Sequence, residues 1–247
     1  MSDQDVFYGT LASWWPLISP VEEYAEEARW VGSLLDRAAR DVREVLELGS
    51  GGGHCAHHLT GRFAMTLVDR SASMLAVSQA LNPGCRHVVG DMRTLRLEAQ
   101  FDAVFIYDAV DYLISEAELS EAFATARAHC RPGGVVVVIP DHVREAFEPG
   151  ADFGGSDAPD GRGARLFEWS HDPDPDDDVI TTDYAFMLRM ADGQVSHHHD
   201  THVTGLFAEA RWVALLDEAG FAVEVLLEET DEDRAPRHAF LGHVPQS

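Results

Sequence analysis

The chain has 247 residues, of which 45% are hydrophobic and 25% charged, enough for one α/β domain with added elements or for two small domains. Its 18 basic and 43 acidic residues give a net charge of −25, which disfavours nucleic acids and anionic membranes as partners and favours cationic ligands. Neither a membrane-spanning apolar run nor the basic start of a secretory signal is present, so we expect a cytoplasmic protein.

The first 41 residues are predicted to form a helical lid. An aromatic stretch, residues 7–18, contains Tyr8 and a pair of tryptophans, which suits either a cover over a ligand or simple packing of an amphipathic helix. A helix should then run from Pro20 to about Arg40, because Pro favours a helix start and the segment is rich in Glu early and in Arg late.

Strands and helices alternate at short spacing over residues 42–140. The predicted strands are Glu44–Leu48, Ala64–Val68, Arg86–Val89, Ala103–Tyr107 and Val135–Ile139. The predicted helices begin near His54 and span Ser71–Leu81 and Glu116–His129. This alternation predicts an α/β fold with a Rossmann-like, mostly parallel sheet.

The rhythm changes after residue 140. Asp141–Gly163, rich in Gly, Pro and Asp, is predicted to be a loop, followed by extended stretches Thr181–Met190 and Gln194–Leu206, joined at Asp192-Gly193. Residues 141–207 should therefore form a loop and an antiparallel β cap. Residues 208–247 should complete the core sheet, with a helix Ala208–Ala219 and strands Phe221–Leu227 and His238–Val244.

A glycine-rich loop follows the first strand. Glu47 precedes Gly49, Ser50, Gly51 and Gly53, and glycines at such a turn let the backbone approach a nucleotide closely. A dinucleotide or phosphate site is the alternative. However, the carboxylate of Glu47 would repel a pyrophosphate, whereas it suits an ammonium or sulfonium group.

Two further acidic positions follow the next strands. Asp69 can accept both hydroxyls of a ribose, and Asp91-Met92 offers a carboxylate for an adenine amino group and an apolar side chain for its ring. A lysine-containing phosphate loop is excluded because the chain contains no lysine. Capping or surface ion pairing is the structural alternative for Glu47 and Asp69.

The ordered motifs Glu47-x-Gly49-x-Gly51-x-Gly53, Asp69, Gly90-Asp91-Met92, Phe101-Asp102 and Arg131-Pro132-Gly133-Gly134 resemble those of the class I S-adenosylmethionine methyltransferases. The resemblance implies S-adenosylmethionine as cofactor and S-adenosylhomocysteine as product. The candidate cofactor-binding residues are Tyr8, Glu47, Gly49, Ser50, Gly51, Gly53, Asp69, Arg70, Asp91, Met92 and Tyr107.

A weaker likeness extends to both ends of the chain. Phe7-Tyr8, residues 144–153 and residues 195–220 are similar to the nucleotide-linked amino-sugar N,N-dimethyltransferases, which implies a small-molecule acceptor. Where that family often has a histidine near its acceptor, this chain has Tyr112.

Candidate catalytic residues follow strands four and five, where open α/β sheets bind ligands. Asp108 and Asp111 could hold a cationic amine, and Tyr112 or His142 could manage its proton, although each could equally be a polar loop cap. The reaction would be an N- or O-methylation. Alignment of the acceptor with the methyl group should supply most of the rate enhancement.

The histidine-rich segment, residues 197–202, invites a metal interpretation. Strand alternation places His198, Asp200 and His202 on one face and His197 and His199 on the other. Three side chains in a row along one face of a strand converge poorly on a single metal ion. We therefore predict no metal and expect these side chains to line a polar cleft or face solvent, with substrate contact as an alternative.

Two other functions remain open from the sequence: a nicotinamide-dependent oxidoreductase on a similar fold and a non-catalytic cofactor-binding module. Glu47 and Asp91-Met92 disfavour the first, and the polar residues after strands four and five disfavour the second. The oligomeric state is expected to be a monomer or a homodimer.

Overall fold

A computed structural model describes residues 6–229 and 236–246. The acidic start that we used to predict the location lies outside these residues. The central sheet has seven strands: β1 Glu44–Leu48, β2 Ala64–Asp69, β3 Arg86–Val89, β4 Phe101–Ile106, β5 Cys130–Val138, β10 Ala222–Leu227 and β11 His238–His243. Their order is β10-β11-β5-β4-β1-β2-β3. The predicted α/β fold with a mostly parallel sheet is confirmed.

Strand β11 is the antiparallel member, since it pairs antiparallel with both β5 and β10. The remaining pairs, β1 with β2 and β4, β2 with β3, and β4 with β5, are parallel. Strand order reverses beside β1, so the carboxyl ends of β1, β2, β3 and β4 meet at one edge. That edge is where open sheets of this kind bind ligands.

Helices cover both faces of the central sheet, as its largely apolar central strands require. They are α2 Ala25–Leu35, α3 His54–Leu59, α4 Ala72–Leu81, α5 Glu116–His129 and α6 Glu209–Glu218, while α1 Trp15–Ile18 packs on the cap sheet described below. One buried apolar cluster lies between the sheet and α2 and α3, and a second lies between the sheet and α5 and α6.

A separate four-stranded antiparallel sheet forms the cap, in the order β6-β7-β8-β9. Its strands are β6 Gly150–Gly154, β7 Gly163–His171, β8 Val179–Arg189 and β9 Val195–Gly205. The antiparallel insertion is confirmed, but the prediction that Asp141–Gly163 is all loop is wrong because it contains β6. Strand β7 was missed because both of its faces carry large apolar side chains: Leu166 lies on the inner face, and Phe167 and Trp169 lie on the outer face. The sequence of β7 therefore lacks the alternation of apolar and polar residues that predicts a strand.

The N-terminal segment packs on the inner face of the cap sheet. Phe7, Leu11 and Ile18 form a buried cluster with Ala164 and Phe186. The single helix predicted from residue 20 to 40 is wrong: a 3₁₀ turn over Val21–Tyr24 precedes α2, which ends at Leu35. Beyond the helix, Arg40 pairs with Asp102 of the central sheet at 2.9 Å.

Within residues 6–229 and 236–246, no helix is both long and apolar enough to cross a bilayer. The same residues contain no group of three or more histidine, cysteine or carboxylate side chains arranged to hold a metal ion. On β9 the predicted alternation is confirmed: His198, Asp200 and His202 are at least half-buried, whereas His197 and His199 are exposed.

Asp102 links the first and fourth strands of the central sheet from a buried position. Its carboxylate accepts the backbone N–H groups of Arg43 and Glu44, both at 3.0 Å, and pairs with Arg131 at 2.8 Å. Burial alone would raise the pKa of Asp102, but the hydrogen bonds from Arg131 and from the two backbone N–H groups lower it below its ordinary value.

We expect Asp102→Asn to lower the free energy of unfolding by roughly 2–4 kcal/mol at pH 7, because it removes one partner of a buried ion pair. Since the folded-state pKa is depressed, this stability is present above the unfolded pKa of about 4 and is lost as pH falls through the folded value. Urea denaturation at pH 7 and at about pH 3 should therefore show the difference shrinking. Asp36→Asn, in an exposed pair with Arg62, should cost less than about 1 kcal/mol, and an equal cost for both variants would contradict this account.

Candidate active site

A cavity of about 430 Å³ opens at the carboxyl edge of the central sheet, between the N-terminal segment and β9. The predicted site residues that line it are Tyr8, Glu47, Gly49, Ser50, Gly51, Asp69, Arg70, Asp91, Met92, Tyr107, Asp108 and Tyr112. Gly53, Asp111 and His142 are not part of its lining. The residues that line this site therefore come from a stretch of nearly 200 positions of the chain, from Tyr8 to Val203.

The loop after β1 forms a cradle that only glycine permits. Gly49 has φ +80°, and a Cβ atom placed on it would lie 2.3 Å from Cβ of Ala109 and 2.9 Å from Cε of Met92. Gly51 also has a positive φ, of +50°. Glycine is therefore required at Gly49, both by its backbone conformation and by its close packing against Ala109 and Met92 at the edge of the cavity.

Glu47 lies next to the last residue of β1 as a buried carboxyl group, with 3% of its surface exposed. Among the described residues, its Oε2 atom and the Oγ atom of Ser50 have no hydrogen-bond partner. Burial, reinforced by the charge of Asp69, raises the pKa of Glu47 well above its ordinary value. A cationic ligand group beside Glu47 would satisfy this carboxylate and restore its charged form.

Asp69 ends β2 and orders the glycine loop. Its Oδ2 atom accepts the backbone N–H of Gly51 and its Oδ1 atom accepts that of Ser71, both at 2.8 Å. Burial raises the pKa of Asp69, while these hydrogen bonds oppose the rise. Each oxygen keeps a second lone pair that can accept a ribose hydroxyl from the cavity.

Asp91 lies after β3, and its carboxylate is held by Arg93. Hydrogen bonds from Arg93 lower the pKa of Asp91, so the carboxylate is ionised. Arg93 also pairs with Glu118 of α5, and both of these residues line the cavity. Sequence reasoning missed Arg93 and Glu118, because their pairing joins segments that no local motif connects.

Gly53 acts behind the cavity. It has φ +72° and precedes α3 as its N-terminal cap residue. A Cβ atom there would lie 2.3 Å from Oγ of Ser78 and 2.6 Å from Nδ2 of Asn82, both packed beneath the loop. The structure places Gly53 in the support of the cradle, outside its lining.

The other end of the cavity is formed by the turn Asp108–Tyr112 after β4. Asp108 Oδ1 lies 3.2 Å from Nη1 of Arg237, which also contacts the hydroxyl of Tyr107 and lies 3.3 Å from Glu27. Arg237 precedes β11, and the sequence did not predict it as a site residue. Nothing in its local pattern indicates a contact with a turn 129 residues away.

The remaining catalytic candidates, Asp111 and His142, do not line the cavity. Asp111 is buried, and its Oδ2 atom accepts the backbone N–H of Asp141 at 2.7 Å, which fixes the start of the loop after β5. Burial and the charge of Asp141 raise the pKa of Asp111 well above its ordinary value. His142 packs edge-on against Phe147 instead of facing the cavity.

The N-terminal segment covers the cavity from above. Ser71 donates a hydrogen bond to the carbonyl of Tyr8 at 2.7 Å, and the hydroxyls of Tyr8 and Tyr112 lie 2.9 Å apart. Trp15 lies directly against Gly52 and donates to Nδ1 of His54 at 3.1 Å. Tyr8 and Trp15 of this segment line the cavity, while Phe7 and Leu11 pack on the cap sheet, so its role as a lid stays a prediction.

The two ends of the cavity differ chemically. One end offers the glycine loop, the buried carboxylate of Glu47 without a hydrogen-bond partner among the described residues, and the carboxylate of Asp69, which can accept hydroxyl groups. These groups fit a nucleoside that carries a cationic amino-acid tail. The other end offers Asp108 and two tyrosine hydroxyls, which fit a polar acceptor. This arrangement matches what the sequence motifs imply for S-adenosylmethionine and a small-molecule acceptor.

Residues 45–134 match the model of a methyltransferase domain. The chain is 30% identical over 207 residues to the dTDP-3-amino-3,4,6-trideoxy-α-D-glucopyranose N,N-dimethyltransferase of Streptomyces venezuelae, covering 83% of this chain and 86% of the relative.

Solved structures give the same result. The crystal structure of Streptomyces venezuelae DesVI superposes with a TM-score of 0.78 at 29% identity, covering 90% of this chain and 92% of that one. CalS10, an amino pentose methyltransferase from Micromonospora echinaspora solved with S-adenosylmethionine bound, gives 0.73 at 26% identity, covering 89% and 91%.

None of these comparisons supports the oxidoreductase alternative. The chain is an S-adenosylmethionine-dependent methyltransferase that acts on a small molecule, and it belongs to the class I methyltransferase family that includes the amino-sugar N,N-dimethyltransferases.

Proposed function

We propose that this enzyme methylates the amine nitrogen of an amino sugar, which in its relatives is linked to a nucleotide. The observation that carries the proposal is the acceptor end of the cavity, which Asp108 lines together with Tyr8 and Tyr112, whose hydroxyls are 2.9 Å apart. These groups can accept hydrogen bonds from an ammonium or amine. The names of the relatives support the same substrate class.

Two further acidic residues lie near this end, outside the lining of the cavity. Asp141 follows β5 and pairs with Arg237 at 3.0 Å, and Glu168 lies on the inner face of the cap sheet. Burial, together with the charges of Asp141 and Asp152, raises the pKa of Glu168 to about 7. The local field therefore favours a cationic acceptor over a carboxylated one, as the net charge of the whole chain also does.

When bound, S-adenosylmethionine supplies an activated methyl group on a sulfonium sulfur. The glycine cradle and Asp69 would hold it by its amino-acid tail and its ribose, with Glu47 beside the cationic groups. Asp108 and Tyr112 would direct the acceptor nitrogen, and the N-terminal segment would exclude water. Holding the two reactants in line accounts for most of the rate enhancement in a reaction of this type.

The four predicted catalytic residues take different parts in this proposal. We assign Asp108 and Tyr112 to direct contact with the acceptor, because both line the cavity. We assign Asp111 to positioning the loop after β5 through the N–H of Asp141. A direct role for His142 stays a prediction, since its ring packs on Phe147.

The test uses dTDP-3-amino-3,4,6-trideoxy-α-D-glucopyranose and its matched analogue with a hydroxyl in place of the amine. With S-adenosylmethionine present, mass spectrometry should show one and then two methyl groups on the amine, while the hydroxyl analogue is turned over at less than about 1% of that rate. The analogue removes the cationic group that the carboxylates recognise and leaves the nucleotide intact. Equal methylation of both compounds would contradict an amine-directed site.

A cytoplasmic location and a monomeric or homodimeric state, both expected from the sequence, stay predictions. The cap sheet exposes Phe153, Phe167 and Trp169 on its outer face, away from the cavity. Sedimentation of the purified enzyme would decide between the two oligomeric states.

A further inference from the structure

A chain of hydrogen-bonded side chains leads away from the acceptor end of the cavity. The Tyr8 and Tyr112 hydroxyls are 2.9 Å apart, the Tyr112 hydroxyl is 2.7 Å from Nδ1 of His202, and Nε2 of His202 is 3.2 Å from Oδ2 of Asp200. These residues come from the N-terminal segment, the turn after β4 and strand β9. Three distant parts of the sequence thus build one polar path.

Asp200, at the end of this path, determines which atom donates and which accepts in each of its hydrogen bonds. An ionised carboxylate only accepts hydrogen bonds, so Nε2 of His202 must donate to Asp200. In neutral imidazole Nδ1 is then unprotonated, and it accepts the hydroxyl proton of Tyr112. The oxygen of Tyr112 is left to accept a hydrogen bond, which Tyr8 donates here and which an ammonium could donate in its place.

Tyr112 is unsuited to be the final base. Burial raises its pKa well above the ordinary value, and the neighbouring Tyr8 and Tyr184 raise it further, so its phenolate is inaccessible near neutral pH. Asp108, the other acidic group at the acceptor end, is held by Arg237, and burial together with the charge of Asp141 raises its pKa well above the ordinary value. Tyr112 differs from Asp108 in having a hydrogen-bonded group directly behind it, which gives a proton leaving the acceptor a continuous path.

His202 has the surroundings of such a group. It is buried, with 6% of its surface exposed, and it lies at the wall of the cavity. The charged and titratable side chains that face it include Asp200 on its own strand, Tyr184 on β8, Tyr112 after β4 and Tyr8 on the N-terminal segment. Asp200 is the carboxylate among them, and it stabilises a positive charge on the imidazole ring.

We propose that His202, held by Asp200, is the proton acceptor of the reaction and acts on the acceptor amine through the hydroxyl of Tyr112. The proposal rests on the amine-directed function argued above. An N–H proton of the acceptor ammonium passes to the oxygen of Tyr112 as the hydroxyl proton of Tyr112 passes to Nδ1 of His202. The products of this step are a neutral amine, a neutral tyrosine and an imidazolium.

The lone pair freed on nitrogen then forms the bond to the methyl carbon, and the electron pair of the broken carbon–sulfur bond stays on sulfur. His202 returns its proton to solvent after the product leaves. The same Oδ2 atom of Asp200 also accepts the backbone N–H of Phe7 at 2.8 Å. The segment that covers the cavity is thus docked on the carboxylate that orients the proton acceptor.

The first experiment replaces His202 with asparagine, whose side-chain oxygen can still accept from Tyr112 but cannot take up a proton. With the dTDP-amino sugar named above, kcat at pH 7 should fall on the order of 100-fold. The loss should shrink to a few-fold near pH 9.5, because an amine that has already lost its proton needs no acceptor on the protein. The calorimetric affinity for S-adenosylhomocysteine should stay within about twofold.

The matched control is His199→Asn, on the exposed face of the same strand, which should leave both the rate and its pH dependence unchanged. Tyr112→Phe breaks the path one step earlier and should shift the pH profile in the same direction, which keeps the test available if His202→Asn does not fold. A loss that is the same at all pH values would indicate a merely structural role and would overturn the proposal.

A second measurement does not depend on turnover. In ¹⁵N-histidine-labelled enzyme at pH 8, with the His202 signals assigned by their absence from the His202→Asn spectrum, Nδ1 should show the chemical shift of an unprotonated nitrogen and Nε2 that of an N–H. The opposite tautomer would overturn the proposal. If the wild-type enzyme methylates no amine at all, the proposed function fails, whereas amine methylation with an unshifted pH profile in His202→Asn refutes only the proton path.

Discussion

Replacing Gly49 with alanine is expected to weaken S-adenosylhomocysteine binding by more than about 1,000-fold and to destabilise the fold. The added Cβ atom would lie 2.3 Å from Ala109 and 2.9 Å from Met92, and the backbone at φ +80° disfavours any side chain. Left-handed strain of about 1–2 kcal/mol and overpacking of about 1–3 kcal/mol add up to roughly 2–5 kcal/mol of lost stability. Because the loop must move to relieve the contact, the cradle is lost.

Calorimetric titration and thermal unfolding measure the two effects separately. Gly61→Ala is the matched control, since a Cβ atom at Gly61 meets nothing within 4 Å and its φ is not left-handed. That variant should bind S-adenosylhomocysteine normally. Normal binding by Gly49→Ala would show that the loop after β1 does not hold the cofactor.

Asp69→Ala should have the next largest effect, a loss of roughly 10²–10⁴-fold in affinity for S-adenosylhomocysteine. It removes two charge-assisted hydrogen bonds to the ribose, each contributing about 1.5–3 kcal/mol. It also releases the backbone N–H groups of Gly51 and Ser71, which Asp69 now holds at 2.8 Å. The glycine loop and the start of α4 would lose their common support.

Asp36→Ala removes an exposed carboxylate remote from the cavity, and it serves as the control for the change in net charge. Its affinity should match that of the wild-type enzyme. If Asp69→Ala remained folded and bound S-adenosylhomocysteine within threefold of wild type, Asp69 would have no part in ribose recognition.

The cofactor end of the site could be predicted from the sequence because it is built from local motifs. Glu47, Gly49 and Asp69 each lie within a few residues of the end of a strand, and the carboxyl ends of neighbouring parallel strands must meet at one edge. The strand pattern fixes both the fold class and the position of these side chains. All three line the cavity.

The acceptor end was less predictable because its contacts are long-range. Arg237 reaches Asp108 from the far end of the chain, and His202 reaches Tyr112 from the cap sheet 90 residues away. The alternation of β9 indicates which face His202 lies on, but not what that face packs against. Strand β7 was missed for a related reason: its outer face is nearly as apolar as its inner one.

The most direct test of the account is a calorimetric titration of the wild-type enzyme with S-adenosylmethionine, S-adenosylhomocysteine, NAD⁺ and NADP⁺. The structure predicts a single site of micromolar affinity for the first two compounds and no binding of the nicotinamide cofactors. Binding of a nicotinamide cofactor, or no binding of S-adenosylhomocysteine by the folded protein, would contradict the assignment of this cavity to methyl transfer.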